Sequence, residues 1–361
     1  MPRDDAVTMV NLHRDTPSLL FASNIDTQLA SLSAGPWTLP VTVNHGERGN
    51  AWVCSPLTTY VDYAAEEALR HLPRGLAAPL SAACRGVGGL MRGARIDDAV
   101  ALNNWLLSTN LYPPLDQAAL DTLITSARQR WPKHALWCRS LNAAQNADWL
   151  RALQQRGFLL IPSRQVYLFE ALSSGKRQPP DVRRDLKLLR DTPLQRVPSA
   201  GFGEQDYARV AALYAALYLD KYSLFNPQYT ALFMQRWHQS GLLALHGFRD
   251  AAGALQAVVG LFRQGDTLTA PIVGYNTALP KSLGLYRLLM ATVFDEAMRS
   301  GATVNLSAGA AQFKRQRGGR AEIEYSAVLA AHLPLKTRVA LKSLRWLATH
   351  VGVPLMKHYR L

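Results

Sequence analysis

Residues 274–289, GYNTALPKSLGLYRLL, decide how the rest of the chain is read. The run before them, TLTAPIVGY (267–275), has the residues of a strand, and the run after, LYRLLMATVFDEAMRS (285–300), those of a helix. Between the two, Pro280, Lys281, Ser282 and a single Gly284 stand just ahead of the helix start. A helix start presents N–H groups without intrahelical acceptors and a partial positive charge, which suits a phosphate. The same residues also make an ordinary capped strand-to-helix turn. Lys281, Ser282, Gly284 and Leu285 are therefore the candidate anion-binding residues, and the surrounding order of elements has to choose between the two readings.

Outward from this loop the pattern is regular. Upstream, a helical region EQDYARVAALYAALYLDKY and a second helix ending at Ser240 precede LLALHGF (242–248). ALQAVVGLF (254–262) follows through the turn at Asp250 to Gly253, giving a three-strand meander with 267–275. Downstream come a strand at 302–308, a short basic segment opened by Phe313, Lys314 and Arg315, and a strand at 322–331. The first half shows a similar grammar: LLSTNLYP (106–113) reads as a strand, 115–131 as an amphipathic helix, 134–141 as a strand, 146–158 as a helix and 160–172 as a strand. A charged stretch with Pro179–Pro180 at 173–191 reads as a linker. The expected organisation is a domain over 1–172, the linker over 173–191, a domain over 192–332 and a tail over 333–361.

This order of helix pair, meander, glycine loop, helix, strand, short helix and strand resembles the GNAT acyltransferase fold. The segment NLSAGAAQFKRQRGG, with Gly309, Phe313 and Lys314, resembles most nearly the FemAB-like and cellulose-biosynthesis-associated acetyltransferases. The block 106–172 resembles the second part of the same fold. The expected fold class is therefore α/β, with tandem GNAT-like mixed sheets flanked by helices. One departure stands out: the family's pyrophosphate loop carries two or three glycines, and this loop has one.

The resemblance implies an enzyme that moves an acyl group from a thioester to an amine, with no permanently bound cofactor and acyl-coenzyme A or acyl carrier protein as co-substrate. Such chemistry needs a donor for the developing oxyanion, a path for the amine proton and a hold for the pantetheine phosphate. The end of the strand at Tyr275 and Asn276 is expected to line the thioester, and His246 and Lys314 are further catalytic candidates. Asp220, Lys221 and Tyr222, between the two upstream helices, are candidates for the acceptor site. In the first half the corresponding loop, TNLYPPLDQ, has two prolines and no glycine, so it offers few N–H groups to a phosphate. The donor is therefore expected in the C-terminal half. Asn103, Asn104 and Asn110 are unusual in an apolar stretch and are expected to tie the halves together. No histidine stands at metal-ligand spacing from a cysteine or carboxylate, so no metal site is expected.

Composition limits the alternatives. With 48% hydrophobic residues and 18% charged ones, 361 residues describe a folded protein with room for two cores. Three scattered cysteines suggest a reducing compartment, and the absence of a signal sequence or a long apolar run suggests a cytoplasmic protein. The net charge of +14 favours anionic partners. The tail at 333–361 has six Lys/Arg and no acid, with Ala340, Leu341, Leu344, Leu347, Ala348 and Val351 on one helical face. It reads either as a peripheral element on an anionic inner membrane face or as a helix docked on the protein's own core. Together these features point to a long-chain N-acyltransferase, with an acidic carrier protein as possible donor and a membrane-lipid amine as possible acceptor. The alternatives are a FemAB-type transferase using aminoacyl-transfer RNA, and a non-catalytic membrane-surface binding module.

Overall fold

The computed structural model describes residues 5–71, 73–170, 172 and 178–359. The N-terminal half runs α1 (Asp5–Arg14), α2 (Ser18–Phe21), β1 (Gln28–Ala34), β2 (Trp37–His45), α3 (Tyr63–His71), α4 (Arg74–Gly93), β3 (Asp98–Leu102), α5 (Gln117–Arg130), β4 (Ala135–Asn142), α6 (Ala147–Gln155) and β5 (Leu159–Phe169). The C-terminal half runs α7 (Pro180–Asp191), β6 (Gln195–Val197), α8 (Tyr207–Tyr218), α9 (Ala231–Gln239), β7 (Ala244–Arg249), β8 (Leu255–Gln264), β9 (Thr267–Tyr275), α10 (Leu285–Ser300), β10 (Thr303–Asn305), α11 (Ala311–Gln316) and β11 (Arg320–Leu329). The chain closes with α12 (Leu335–Leu347) and α13 (Val353–Tyr359). The order meander, helix, strand, helix, strand occurs twice, whereas the sequence predicts the meander only in the second half. The α3–α4 insertion interrupts the first meander.

All eleven strands form one sheet in the order β1-β2-β3-β4-β11-β5-β10-β9-β8-β7-β6. The last strand of each half has crossed over: β11 pairs antiparallel with β4, and β5 pairs antiparallel with β10. The two exchanged strands also pair with each other, from Arg320↔Leu168 to Val328↔Leu159. The expected division at 173–191 therefore does not separate two independent sheets, because a strand of the second half lies inside the first. Nor is 180–191 a linker. It is α7, which packs on α10, while residues 173–177 fall outside the described set.

Alternation distributes the side chains between the two faces. On β8, Val258 joins Phe233 and Trp237 of α9 under one face, and Val259 joins Leu288 and Phe294 of α10 under the other. On β4 all eight residues are buried, since helices cover both faces. The strand expected at 106–113 is not formed: β3 ends at Leu102 and the chain then runs irregularly. Asn103 and Leu106 have positive φ, and the asparagines bond to main-chain groups and neighbouring side chains instead of extending a ladder. Asn104 Nδ2 donates to Val53 O (3.1 Å), Asn103 Nδ2 to Leu111 O (2.8 Å), and the Trp105 N–H to Asn110 Oδ1 (3.1 Å). These bonds lie within the N-terminal half; ties to the other half from this segment include Tyr229, whose hydroxyl donates to Leu106 O (2.6 Å), and Phe262, whose ring lies 5.0 Å from that of Trp105.

The tail docks. Leu341 and Leu344 of α12 are buried in one cluster with Val61, Met91, Trp137 and Val328, and Ala340 and Ala348 pack against it. The apolar face expected to meet a membrane is thus largely spent on the protein's own core. Leu335 (65% exposed), Val339 (51%) and Trp346 (57%) remain outside. No helix among the described residues is long and apolar enough to cross a membrane.

Gly274 fixes the closest approach in the fold. A Cβ there would meet the main chain of α8 at 2.5 Å from Leu213 C and Tyr214 N, and backbone cannot swing aside as a side chain can. Replacing Gly274 with alanine should lower stability by about 1–3 kcal/mol, the range for overpacking, and chemical denaturation would measure it. An unchanged midpoint would show that α8 is free to shift.

Candidate active site

The site begins where two parallel strands part. β10 pairs with β9 only at Thr303↔Thr267, Val304↔Leu268 and Asn305↔Thr269. It then follows β5 instead: the Leu306 N–H donates to Tyr167 O (3.0 Å), and the Tyr167 N–H to Ser307 O (3.1 Å). Beyond Thr269, β9 has no strand on that side, and a gap opens along Ala270–Tyr275. The Asn276 N–H donates to Gln256 O (2.8 Å) on β8. By alternation, the main-chain groups of Val273 and Tyr275 point into the gap. Pro271 has the same parity, so the position that lacks an N–H is one where no ladder needs it.

Aromatic rings from α8, α10, α11, β9 and the loop after α8 pack on one core cluster beside the end of β9. Tyr275 and Tyr286 have centroids 6.3 Å apart, Tyr286 and Phe313 4.8 Å, and Tyr218 and Tyr222 6.2 Å. α8 and α10 cover opposite faces of the sheet, yet Tyr218, Tyr222 and Tyr275 all act on the ionisation of Tyr286. Burial first, and these neighbours next, push the Tyr286 phenol far up. Burial alone raises that of Tyr275, whose hydroxyl has no hydrogen-bond partner among the described residues. Both phenols stay protonated at neutral pH and are proton donors rather than bases.

The loop that opened the sequence reading stands at the mouth of the gap. Lys281 and Ser282 are exposed on a 3-10 turn, Leu285 is buried, and Gly284 takes φ +62° at the start of α10. The positive φ favours glycine at 284, where a Cβ would also lie 2.9 Å from Leu188 Cδ2 on α7. Lys221 lies with Nζ 5.7 Å from the Tyr222 ring, and Asp220 is exposed beside it. The N-terminal half holds the loop that carries Asp220, Lys221 and Tyr222. Arg70 of α3 donates to Tyr222 O, and the Ser223 hydroxyl donates to Glu66 Oε2 (2.7 Å).

Three sequence candidates are placed differently from expectation. His246 sits on β7, two strands from β9. The charges that act on it are Glu296, Arg299 and Asp295, at the far end of α10 from the loop, and Arg196 on β6. Burial, the largest effect, lowers its pKa. The structure does not bring it to the gap. Asn276 is occupied in its own turn, its Nδ2 donating to Gln256 Oε1 (2.8 Å) and its Oδ1 accepting from Ala278 N–H (3.1 Å). Lys314 is buried, and its ammonium donates to Leu306 O (2.7 Å), Ser307 O (3.3 Å) and Ala308 O (2.7 Å). Burial and then Arg164 pull its pKa down to about 7, while the three carbonyls hold the charged form in place. Its protons are spent on the turn after β10, so it positions that turn and does not reach a reacting atom.

One set of site residues was not foreseen. Asp185 of α7 is fully buried between Arg287 Nε and Arg317 Nε, each 2.6 Å from one of its oxygens. Arg317 in turn lies 3.3 Å over the Phe313 ring. This carboxylate locks α7, the first turn of α10 and the residue just after α11 around the mouth of the gap. The signal was present: Val182, Leu186 and Leu189 mark an apolar helical face, and Asp185 falls on it.

Residues 176–315 match the sequence profile of the Acetyltransferase (GNAT) domain family. The matched span holds the meander, the loop, α10, β10 and Lys314, so the likeness to the GNAT domain family lies in the C-terminal half. The chain also resembles solved structures. One is the C-terminal domain of a candidate lysylphosphatidylglycerol synthetase from Agrobacterium fabrum, with 12% identity, 69% of this chain and 82% of that chain covered, and TM-score 0.46. FemX shows 12% identity, 59% and 77% coverage and TM-score 0.43. A tandem GNAT protein of the clavulanic acid biosynthesis pathway shows 13% identity, 64% and 75% coverage and TM-score 0.36. Among curated proteins, no sequence gives a significant match.

Two substitutions test this arrangement. Asp185→Asn leaves two guanidiniums facing a neutral group, one of them buried, and should cost about 3–5 kcal/mol in denaturation experiments. His246→Ala should leave turnover within about twofold of the parent, since the residue lies outside the gap. A loss of a hundredfold or more would return it to the site.

Proposed function

We propose that the protein is an N-acyltransferase that holds an acyl thioester of coenzyme A or acyl carrier protein in the gap between β9 and β10. The unpaired edge of β9 carries this reading. An extended pantetheine arm bears two amides, which match the outward main-chain groups of Val273 and Tyr275 as an added strand would. An ester of transfer RNA has no such arm, which favours the thioester over the aminoacyl donor. The phosphate then lies at the start of α10, against the N–H groups of Leu285 and Tyr286 and within reach of Lys281 and Ser282. The acceptor amine enters from the side of Asp220, Lys221 and Tyr222. Its nitrogen attacks the thioester carbon and the carbon–sulfur bond breaks. In this reading the Tyr275 hydroxyl protonates the departing thiolate, and the proton shed by the attacking nitrogen as the amide forms returns through solvent to the Tyr275 phenolate.

The exposed stripe of α12 supports work at an anionic membrane surface. Leu335, Val339 and Trp346 recur on one face, with Lys336, Arg338, Lys342 and Arg345 exposed around them. An interfacial aromatic with flanking cations suits a negatively charged bilayer.

Calorimetric titration with acetyl-coenzyme A, palmitoyl-coenzyme A, acylated carrier protein and aminoacyl-transfer RNA separates the donors. A thioester should bind, and Lys281→Ala should weaken coenzyme A binding roughly tenfold. Binding of the transfer RNA alone would overturn the thioester reading. For the tail, the parent should co-sediment with phosphatidylglycerol vesicles and the Trp346→Ala/Lys342→Ala variant several-fold less. Equal sedimentation with neutral vesicles would remove the membrane from the proposal.

A further inference from the structure

The N-terminal half contains a pocket that the transferase reading does not use. Trp137 and Arg139 are two residues apart on β4 and so face the same side of the sheet. With Cys54, Thr59, Tyr60 and Ser326 they line a small pocket with room for one water- or halide-sized guest. Thr59 and Tyr60 come from a single π-helical turn, Thr58–Asp62.

Two donors in this pocket are orphaned. Arg139 Nη2 and Trp137 Nε1 have no hydrogen-bond partner, although Arg139 is only 9% exposed and Trp137 only 2%. Thr59, Tyr60 and Cys54 have spent their protons elsewhere. The Thr59 hydroxyl donates to Trp52 O (2.7 Å), the Tyr60 hydroxyl to Ile161 O (3.3 Å), and the Cys54 thiol to Ala51 O (3.5 Å).

Charge is also uncompensated. Arg139 Nη1 donates to Val53 O (2.6 Å) and Asn104 Oδ1 (2.9 Å), both neutral. The carboxylate that acts on it, Glu324, is already paired with Arg164 at 2.7 and 3.2 Å. Both guanidiniums lie against the Trp52 ring, at 5.0 and 4.6 Å from its centroid. Burial and then Arg164 pull Arg139 down to about 10, while burial pushes the Cys54 thiol up to about 12, so the thiol supplies no negative charge. A buried charge without a counter-charge is costly. A water in the pocket would accept from both orphaned donors but leave the charge as it is; an anion answers both.

We infer that this pocket binds one halide ion between Arg139 Nη2 and Trp137 Nε1. The site is independent of the donor gap. An anion bound only by the folded protein raises stability with its concentration. The unfolding midpoint of the full chain, measured in chloride, formate and gluconate at equal ionic strength, should rise saturably by a few degrees in chloride over gluconate, which is too large to enter. A rise with formate alone would overturn the halide. Trp137→Phe keeps the ring and removes one donor, and should weaken the apparent anion affinity several-fold; Arg139→Gln should abolish the effect. A bromide-soaked crystal should show anomalous density between the two donors. Equal midpoints in all three salts, or an anion effect that both variants retain in full, would overturn the assignment and leave a water in the pocket.

Discussion

The pairing of β5 with β11 is the constraint on which the rest of this structure depends. Each is the last strand of its half, and each has left its own half to lie beside the other's preceding strand. Nine register pairs join them, from Arg320↔Leu168 to Val328↔Leu159. Main-chain hydrogen bonds therefore make the two halves one sheet, and neither can complete its sheet alone. The exchange also shapes the gap. Because β10 is drawn along β5 through Leu306 and Ser307, it leaves β9 after three residue pairs.

A parted pair of parallel strands would expose main-chain groups and collapse or fill unless its walls were held. Here the walls are held by unlike means. Gly274 lets the α8 backbone press directly on β9, and Asp185 draws Arg287 and Arg317 together at the mouth. Lys314 pins the turn after β10 through three carbonyl oxygens. What remains between these supports is an aromatic slot with protonated phenols, Tyr275 and Tyr286. The N-terminal half has its own parallel pair, β3 and β4, and there the irregular chain after β3 and the Arg139 side chain fill the space. A GNAT-type profile over 176–315 coincides with the half whose gap is open.

The C-terminal half was legible because its signals are local. Alternation gave β8 and β9, the 3.6-residue period gave α8 and α10, and Gly284 marked the helix start where φ is +62°. Pro271 inside β9 even recorded that one edge is unpaired. The readings that shifted involve pairing across distance. His246 looked like a catalytic histidine in a strand, but strand order puts it two strands away from the gap. The 106–113 run has the composition of a strand, yet Asn103, Asn104 and Asn110 bond to main-chain groups and to Trp105 and one another, not a ladder. The tail has a basic amphipathic face, and periodicity alone does not say whether Leu341 and Leu344 meet lipid or Trp137 and Val328.

The sequence by itself determined the α/β class, the order of elements from the helix pair before β7 to β11 and the loop before α10, because propensity, period and turn chemistry act over a few residues. Only the tertiary structure decided that the halves exchange strands, that the buried Asp185 meets Arg287 and Arg317, and that Arg139 and Arg164 both lie against Trp52 while Glu324 pairs with Arg164. Those features rest on contacts between residues more than a hundred positions apart, such as Glu324 with Arg164 and Asp185 with Arg287. No local pattern specifies which distant partner a strand edge or a buried charge will find. Burial of the whole chain around one sheet does.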